Sequence, residues 1–85
     1  MKEIKDALEN KKTVIGTKEV LKSIRNGKIE KIFLASNCPE EIQKDIKHYA
    51  QLSNIEIVKF DGTGKQLGVF CGKPFPIAVL GIRGK

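Results

Sequence analysis

Few side chains in this sequence can carry chemistry, and their spacing removes most of what they could do. Cys38 and Cys71 stand 33 residues apart with no CxxC pair, so spacing gives neither a zinc site nor a disulfide framework, and two reduced thiols are expected. His48 is the single histidine, and no nucleophile, base and orienting acid can be grouped around it as a hydrolytic triad requires. Gly62-Thr63-Gly64-Lys65 has the composition of a phosphate loop without the G-x-x-x-x-G-K-[ST] spacing. No catalytic residue, metal or cofactor is therefore expected. What remains is charge held in register. Lys18, Lys22 and Arg25 recur at i, i+4 and i+7, which on a helix projects their cations to one side. The stripe starts after Gly16-Thr17, where a helix N-terminus would turn unsatisfied N–H groups toward a phosphate or another anion.

That junction needs a strand before it and a helix after it. Thr13-Val14-Ile15 is a brief β-favouring run stopped by Gly16. Thr17 suits an N-cap, and Val20, Leu21 and Ile24 form the apolar stripe of a helix ending at Asn26-Gly27. Upstream, Ile4, Ala7 and Leu8 mark a short amphipathic helix over residues 2–10. Downstream, Lys31 to Ser36 reads as a buried strand, and Pro39 fits the first position of a helix, with Glu40 and Glu41 on its positive end. Ile42, Ile46, Tyr49 and Ala50 carry that helix to about Leu52, while His48 faces water. Ile55 to Phe60 is a third strand, and Leu67, Phe70 and Cys71 suggest a short helix closed by Gly72-Lys73-Pro74. Phe75 to Ile82 is the last strand. Phe33, Phe60 and Phe70 fall on core positions. Phe75 differs: taken by itself it is also expected in the core, but its place after Gly72-Lys73-Pro74 at the mouth of a strand would let it stack on a base.

Helices alternating with short buried strands predict an α/β fold, a three-layer α/β/α sandwich with a four-stranded mixed sheet. The junctions Ile15–Glu19 and Ser36–Glu40 both fall at carboxyl ends of strands, so they are expected to form one surface. At 85 residues the chain reads as a single domain, 1–85, too small to enclose a large active site. Sixteen basic residues against ten acidic give a net charge of +6, which favours an anionic partner. Residues 11–31 hold seven of the cations and only two acids. The Gly-led basic stripe favours nucleic acid over a membrane or an acidic protein. No apolar stretch spans a membrane, and the charged N-terminus, Met1 to Asp6, lacks the apolar core of a secretory signal.

Several short motifs occur in a familiar order: Ile15-Gly16-Thr17-Lys18-Glu19-Val20-Leu21-Lys22, Ala35-Ser36-Asn37-Cys38-Pro39, Tyr49-Ala50-Gln51-Leu52-Ser53, Gly62-Thr63-Gly64-Lys65-Gln66-Leu67-Gly68 and Gly72-Lys73-Pro74-Phe75. From Lys2 to Ile82 the chain resembles the archaeal and eukaryotic L30e family of large-subunit ribosomal proteins, within the kink-turn RNA-binding (L7Ae-type) superfamily. The resemblance implies no enzymatic activity and an RNA-binding face made of three places. The first is Gly16, Thr17, Lys18 and Glu19, with Lys22 and Arg25 behind them, set against the sheared G·A pairs of a kinked loop. There Glu19 would accept from guanine amino and imino groups, and the cations would meet phosphates or guanine acceptors. The second is Asn37 beside Pro39, and the third is Gly72-Lys73-Pro74-Phe75, where a flipped-out nucleotide would be clamped. Lys18 stands where much of the superfamily has Asn, which favours the ribosomal subgroup over box C/D or RNase P types. A protein-interaction module on the same scaffold is the alternative class. The resemblance further implies structured RNA, rRNA above all, as partner, with other ribosomal proteins as further neighbours. It implies a monomer when free and a cytoplasmic, ribosome-associated location. It also places Cys38 and Cys71 in binding-side loops, near enough for a disulfide to be considered.

Overall fold

The computed structural model describes residues 2–84. Its elements follow the expected alternation: α1 (Lys2–Glu9), β1 (Thr13–Ile15), α2 (Thr17–Arg25), β2 (Ile29–Leu34), α3 (Glu40–Leu52), β3 (Glu56–Lys59), α4 (Gly64–Phe70) and β4 (Val79–Arg83). The four strands form one mixed sheet in the order β1-β4-β2-β3. β4 runs antiparallel to both of its neighbours, and β2 pairs with β3 in parallel.

Alternation along the central strands splits the apolar residues between two faces. Ile32, Leu34 and Val79 meet Val20 and Ile24 of α2 and Ile46 and Ala50 of α3 on one side. Phe33 and Leu80 meet Ile4 of α1 and Leu67 of α4 on the other. This is the three-layer sandwich. Val20, Ile4, Leu67 and Leu80 are fully buried, so truncating Ile4, Leu67 or Leu80 to Ala would cost about 2–5 kcal/mol. No helix among the described residues is long and apolar enough to cross a membrane.

The helices share one way of ending. At α2 the N–H of Gly27 bonds to the Ile24 carbonyl and that of Lys28 to Ser23, while at α4 Gly72 bonds to Val69 and Lys73 to Gly68. Both are Schellman closures around a left-handed residue. α1 closes alike, Lys11 to Leu8 and Lys12 to Ala7, but there a lysine holds the left-handed position at φ 55°.

Four expectations need correction. The last strand begins at Val79 rather than Phe75. Pro74 and Pro76 have no N–H to give to a ladder, and the Phe75 carbonyl packs against Gly68 of α4, so this segment serves the helix. β2 begins two residues early, at Ile29, which reaches Arg83 across a bulge. It ends early as well, because Ala35 and Ser36 donate instead to the loop carbonyls of Ala78 and Gly62, at 3.0 and 2.8 Å. Phe70 is exposed on α4 and meets Phe60 edge-on, centroids 6.0 Å apart. Finally, Cys38 and Cys71, free thiols as their spacing suggests, are not neighbours as the resemblance implied, but are buried in different clusters on opposite faces of the sheet.

Candidate nucleic-acid interface

Sheet topology decides which loops meet. β1 and β2 both oppose β4, and β3 follows β2, so the carboxyl ends of β1, β2 and β3 share one end of the sheet with the start of β4. Main-chain bonds then tie those loops together. The N–H of Gly16 donates to Val79 at 3.3 Å, Ser36 to Gly62 at 2.8 Å, and Ile77 to Gly64 at 2.9 Å. The Asn37 side chain adds a cross-link, its Oδ1 accepting from the Gly64 N–H at 2.8 Å. Gly16, the Asn37 loop and the approach to β4 are thus parts of one bonded surface.

Gly16 occupies the cap of α2 at φ 102° and ψ 146°, a conformation that residues with a Cβ rarely adopt. Thr17 is therefore the first helical residue and not the cap. Because the cap has no side chain, no side chain hydrogen-bonds the leading amides of α2, and Lys18 and Glu19 flank them in solvent. Lys22 lies one turn on and is exposed. Arg25 does not join this group. It sits about 10 Å along the helix from Lys18 and reaches α3, its guanidinium 5.5 Å from the Tyr49 ring centroid and 3.5 Å from the Tyr49 hydroxyl.

The other basic residues of the 11–31 window also disperse. Lys11, Lys12 and Lys28 lie at the opposite end of the sheet, before β1 and β2 begin. Lys31 pairs with Glu56 across β2 and β3 at 3.4 Å.

A groove of about 310 Å³ opens beside α4, lined by Lys65, Val69, Lys73, Pro74, Phe75 and Pro76. Phe75 is 48% exposed and Val69 71%. The expectation of a core Phe75 fails for the same reason that the strand starts late. Two lysines border a largely apolar floor, which is the chemistry that accepts a flat ring attached to a phosphate.

The thiols add no reactive centre. Burial pushes Cys38 above the ordinary thiol value, and burial does the same to Cys71 while Lys73 opposes it. Neither is a ready thiolate at neutral pH. The Gly62–Lys65 turn is not a phosphate cradle either. Thr63 and Gln66 form a capping box with each other, and Gly64 is held by Asn37, so amides that would meet a phosphate are already occupied.

Sequence comparison matches residues 1–85 to the family described as Ribosomal protein L7Ae/L30e/S12e/Gadd45. The chain belongs to this family. It is 42% identical over 79 residues to large ribosomal subunit protein eL30 of Archaeoglobus fulgidus, covering 93% of this chain and 87% of that one. Against eL30 of Methanocaldococcus jannaschii it is 39% identical, covering 93% and 72%. These L7Ae/L30e relatives are named as ribosomal proteins rather than enzymes. The fold agrees. A Bacillus halodurans protein of unknown function superposes with a TM-score of 0.87 at 21% identity, over 95% of this chain and 80% of that one. A 15.5 kD RNA-binding protein of Giardia lamblia gives 0.86 at 24%, over 96% and 68%.

Within this family member, Gly16, Thr17, Lys18, Glu19 and Lys22 form one group at the head of α2. Asn37 and Pro39 adjoin it through the bonded loops. Gly72, Lys73, Pro74 and Phe75 line or lead into the groove. Reading the sequence missed Lys65, Val69 and Pro76. Lys65 was legible only as part of a failed phosphate loop, Pro76 as a strand residue, and an exposed valine on a short helix leaves no signal in a periodicity.

Proposed function

We propose that this L7Ae/L30e-family chain is a ribosomal protein of the large subunit that recognises a kink-turn or similar asymmetric internal loop in rRNA and stabilises its bent form. The observation that carries the reading is the meeting, at one end of the sheet, of a glycine-capped basic helix, the Asn37 loop and the exposed Phe75 groove. A regular duplex has no unstacked base for the groove and buries the edges that Glu19 would read. A kinked loop presents both. By binding one conformation selectively, the protein would draw the RNA into it. It would act as a monomer when free and associate with the ribosome, among other ribosomal proteins, in the cytoplasm.

The test is a fluorescence titration of the protein against a kink-turn RNA and a fully paired duplex of equal length. Preference for the loop by at least about a hundredfold, some 2.7 kcal/mol, is the expected result. Equal affinity for both would remove the proposal.

A further inference from the structure

We propose that a second contact surface, a basic cleft between α2 and the open edge of β1, receives the phosphate backbone of one helical arm leaving the bound loop. The cleft measures about 410 Å³ and is lined by Glu19, Lys22, Ser23, Asn26, Lys28 and Arg83 over the edge of β1. β1 is one of the two edge strands of the sheet. The arrangement comes from three separate pieces of chain. The Schellman closure of α2 brings Lys28 back beside Asn26, and a hydrogen bond from the Gly84 N–H to the Lys28 carbonyl, 2.9 Å, holds the end of β4 against it. Arg83 also donates its N–H to Lys12 at 2.7 Å, so its backbone is fixed while its side chain faces solvent.

Three features select the occupant. First, Lys22, Lys28 and Arg83 share one cleft, and none of them is ion-paired among the described residues. Their mutual repulsion is relieved by an anion that spans them. Second, the cleft is open and elongated. It follows three strand residues, about 10 Å, long enough for more than one phosphate of a continuous backbone. A small anion would engage a fraction of it. Third, it is continuous with the head of α2. Glu19 and Lys22 belong to both surfaces, the carboxylate at the end where base donors are expected and the cations where backbone is expected. Ser23 and Asn26 supply neutral donors between them.

This inference rests on the loop-binding reading above, and the experiment separates the two. Affinity and its salt dependence are measured for the native chain and for a Lys28→Gln/Arg83→Gln variant. The probes are a kink-turn RNA with about ten base pairs on each side of the loop and versions with one or the other stem cut to about three. In the native chain, shortening one of the two stems should weaken binding about tenfold and reduce the log–log salt slope by about two. The variant should show that weaker binding and shallower slope on the long RNA, and should be indifferent to shortening. A Lys28→Arg/Arg83→Lys variant, keeping both charges, should behave as the native chain. Native-like affinity of the glutamine variant for the long RNA would overturn this inference and leave the loop reading standing. Equal loss on shortening in variant and native chain would do the same. Failure of the native chain to prefer the loop over a plain duplex would remove both.

Discussion

Asn37 has two chemical ends, and in this fold they face different tasks. Its oxygen holds the amide at the start of α4, leaving its N–H donors as the group to offer a base edge. Asn37→Asp keeps the acceptor and removes the donors. We expect its melting temperature to stay within about 2 °C of the native chain, with loop-RNA affinity reduced at least about tenfold. Asn37→Ala should lose about 1 kcal/mol of stability as well, since a part-buried N–H loses its partner. Phe75 separates in the other direction. Being half exposed, it contributes little to the core, so Phe75→Ala should melt within a few degrees of native. It should nevertheless weaken binding of a loop with an unstacked base by about 1–3 kcal/mol, read by titration against the same RNA without that base.

At the scale of elements, the loop that carries Phe75 is seated by the absence of a side chain on α4. A Cβ at Gly68 would strike the Phe75 carbonyl and come within 3.1 Å of its carbonyl carbon. Gly68→Ala, ordinarily favourable in a helix, should therefore destabilise the chain by about 1–3 kcal/mol in chemical denaturation. It should also weaken loop binding as Phe75→Ala does, by shifting the ring. The opposite outcome is expected at the end of α1. Lys11 holds a left-handed conformation at φ 55°, so Lys11→Gly should raise stability by up to about 1 kcal/mol. These two substitutions mark what was legible in the sequence. Helix and strand order follows from periods of 3.6 and 2, and so do both faces of the core, because Val20/Ile24 and Ile46/Ala50 on one face and Ile4/Leu8 and Leu67/Cys71 on the other repeat at the period that packing demands. The exposure of Phe75 and the start of β4 were not legible in the periodicity, although the Gly72-Lys73-Pro74 segment before Phe75 hinted at a stacking role. Their positions depend on a backbone contact between α4 and a proline-flanked loop, and no pattern along the chain records a contact across space. Arg25 shows the same limit, since helical spacing groups it with Lys18 while Tyr49 on another helix claims it.

For the whole molecule, the two thiols give a pH dependence with a definite sign. Burial raises both above the ordinary value of 9.0. On unfolding they return to that value, so above about pH 9 the unfolded chain releases protons that the folded chain retains. Their contribution is fully present below that pH and declines as pH rises through the folded values. Urea unfolding at pH 7 and pH 10 should show a larger loss of stability in the native chain than in a Cys38→Ala/Cys71→Ala variant, and none of that difference should appear between pH 6 and pH 7.

The order of strands also bears on when the fold becomes available during synthesis. β4 comes after the other three strands in the chain yet lies between β1 and β2, and β1 has no other partner in the sheet. A nascent chain that has reached only residue 78 can pair β2 with β3 and pack α2 on them and on α3, but it leaves β1, which leads into the glycine cap of α2, without a partner in the sheet. The proposed RNA face is therefore absent until residues 79–83 have emerged and inserted. A chain whose central strand comes last cannot present that face in stages: the face is completed in a single step, when β4 inserts between β1 and β2.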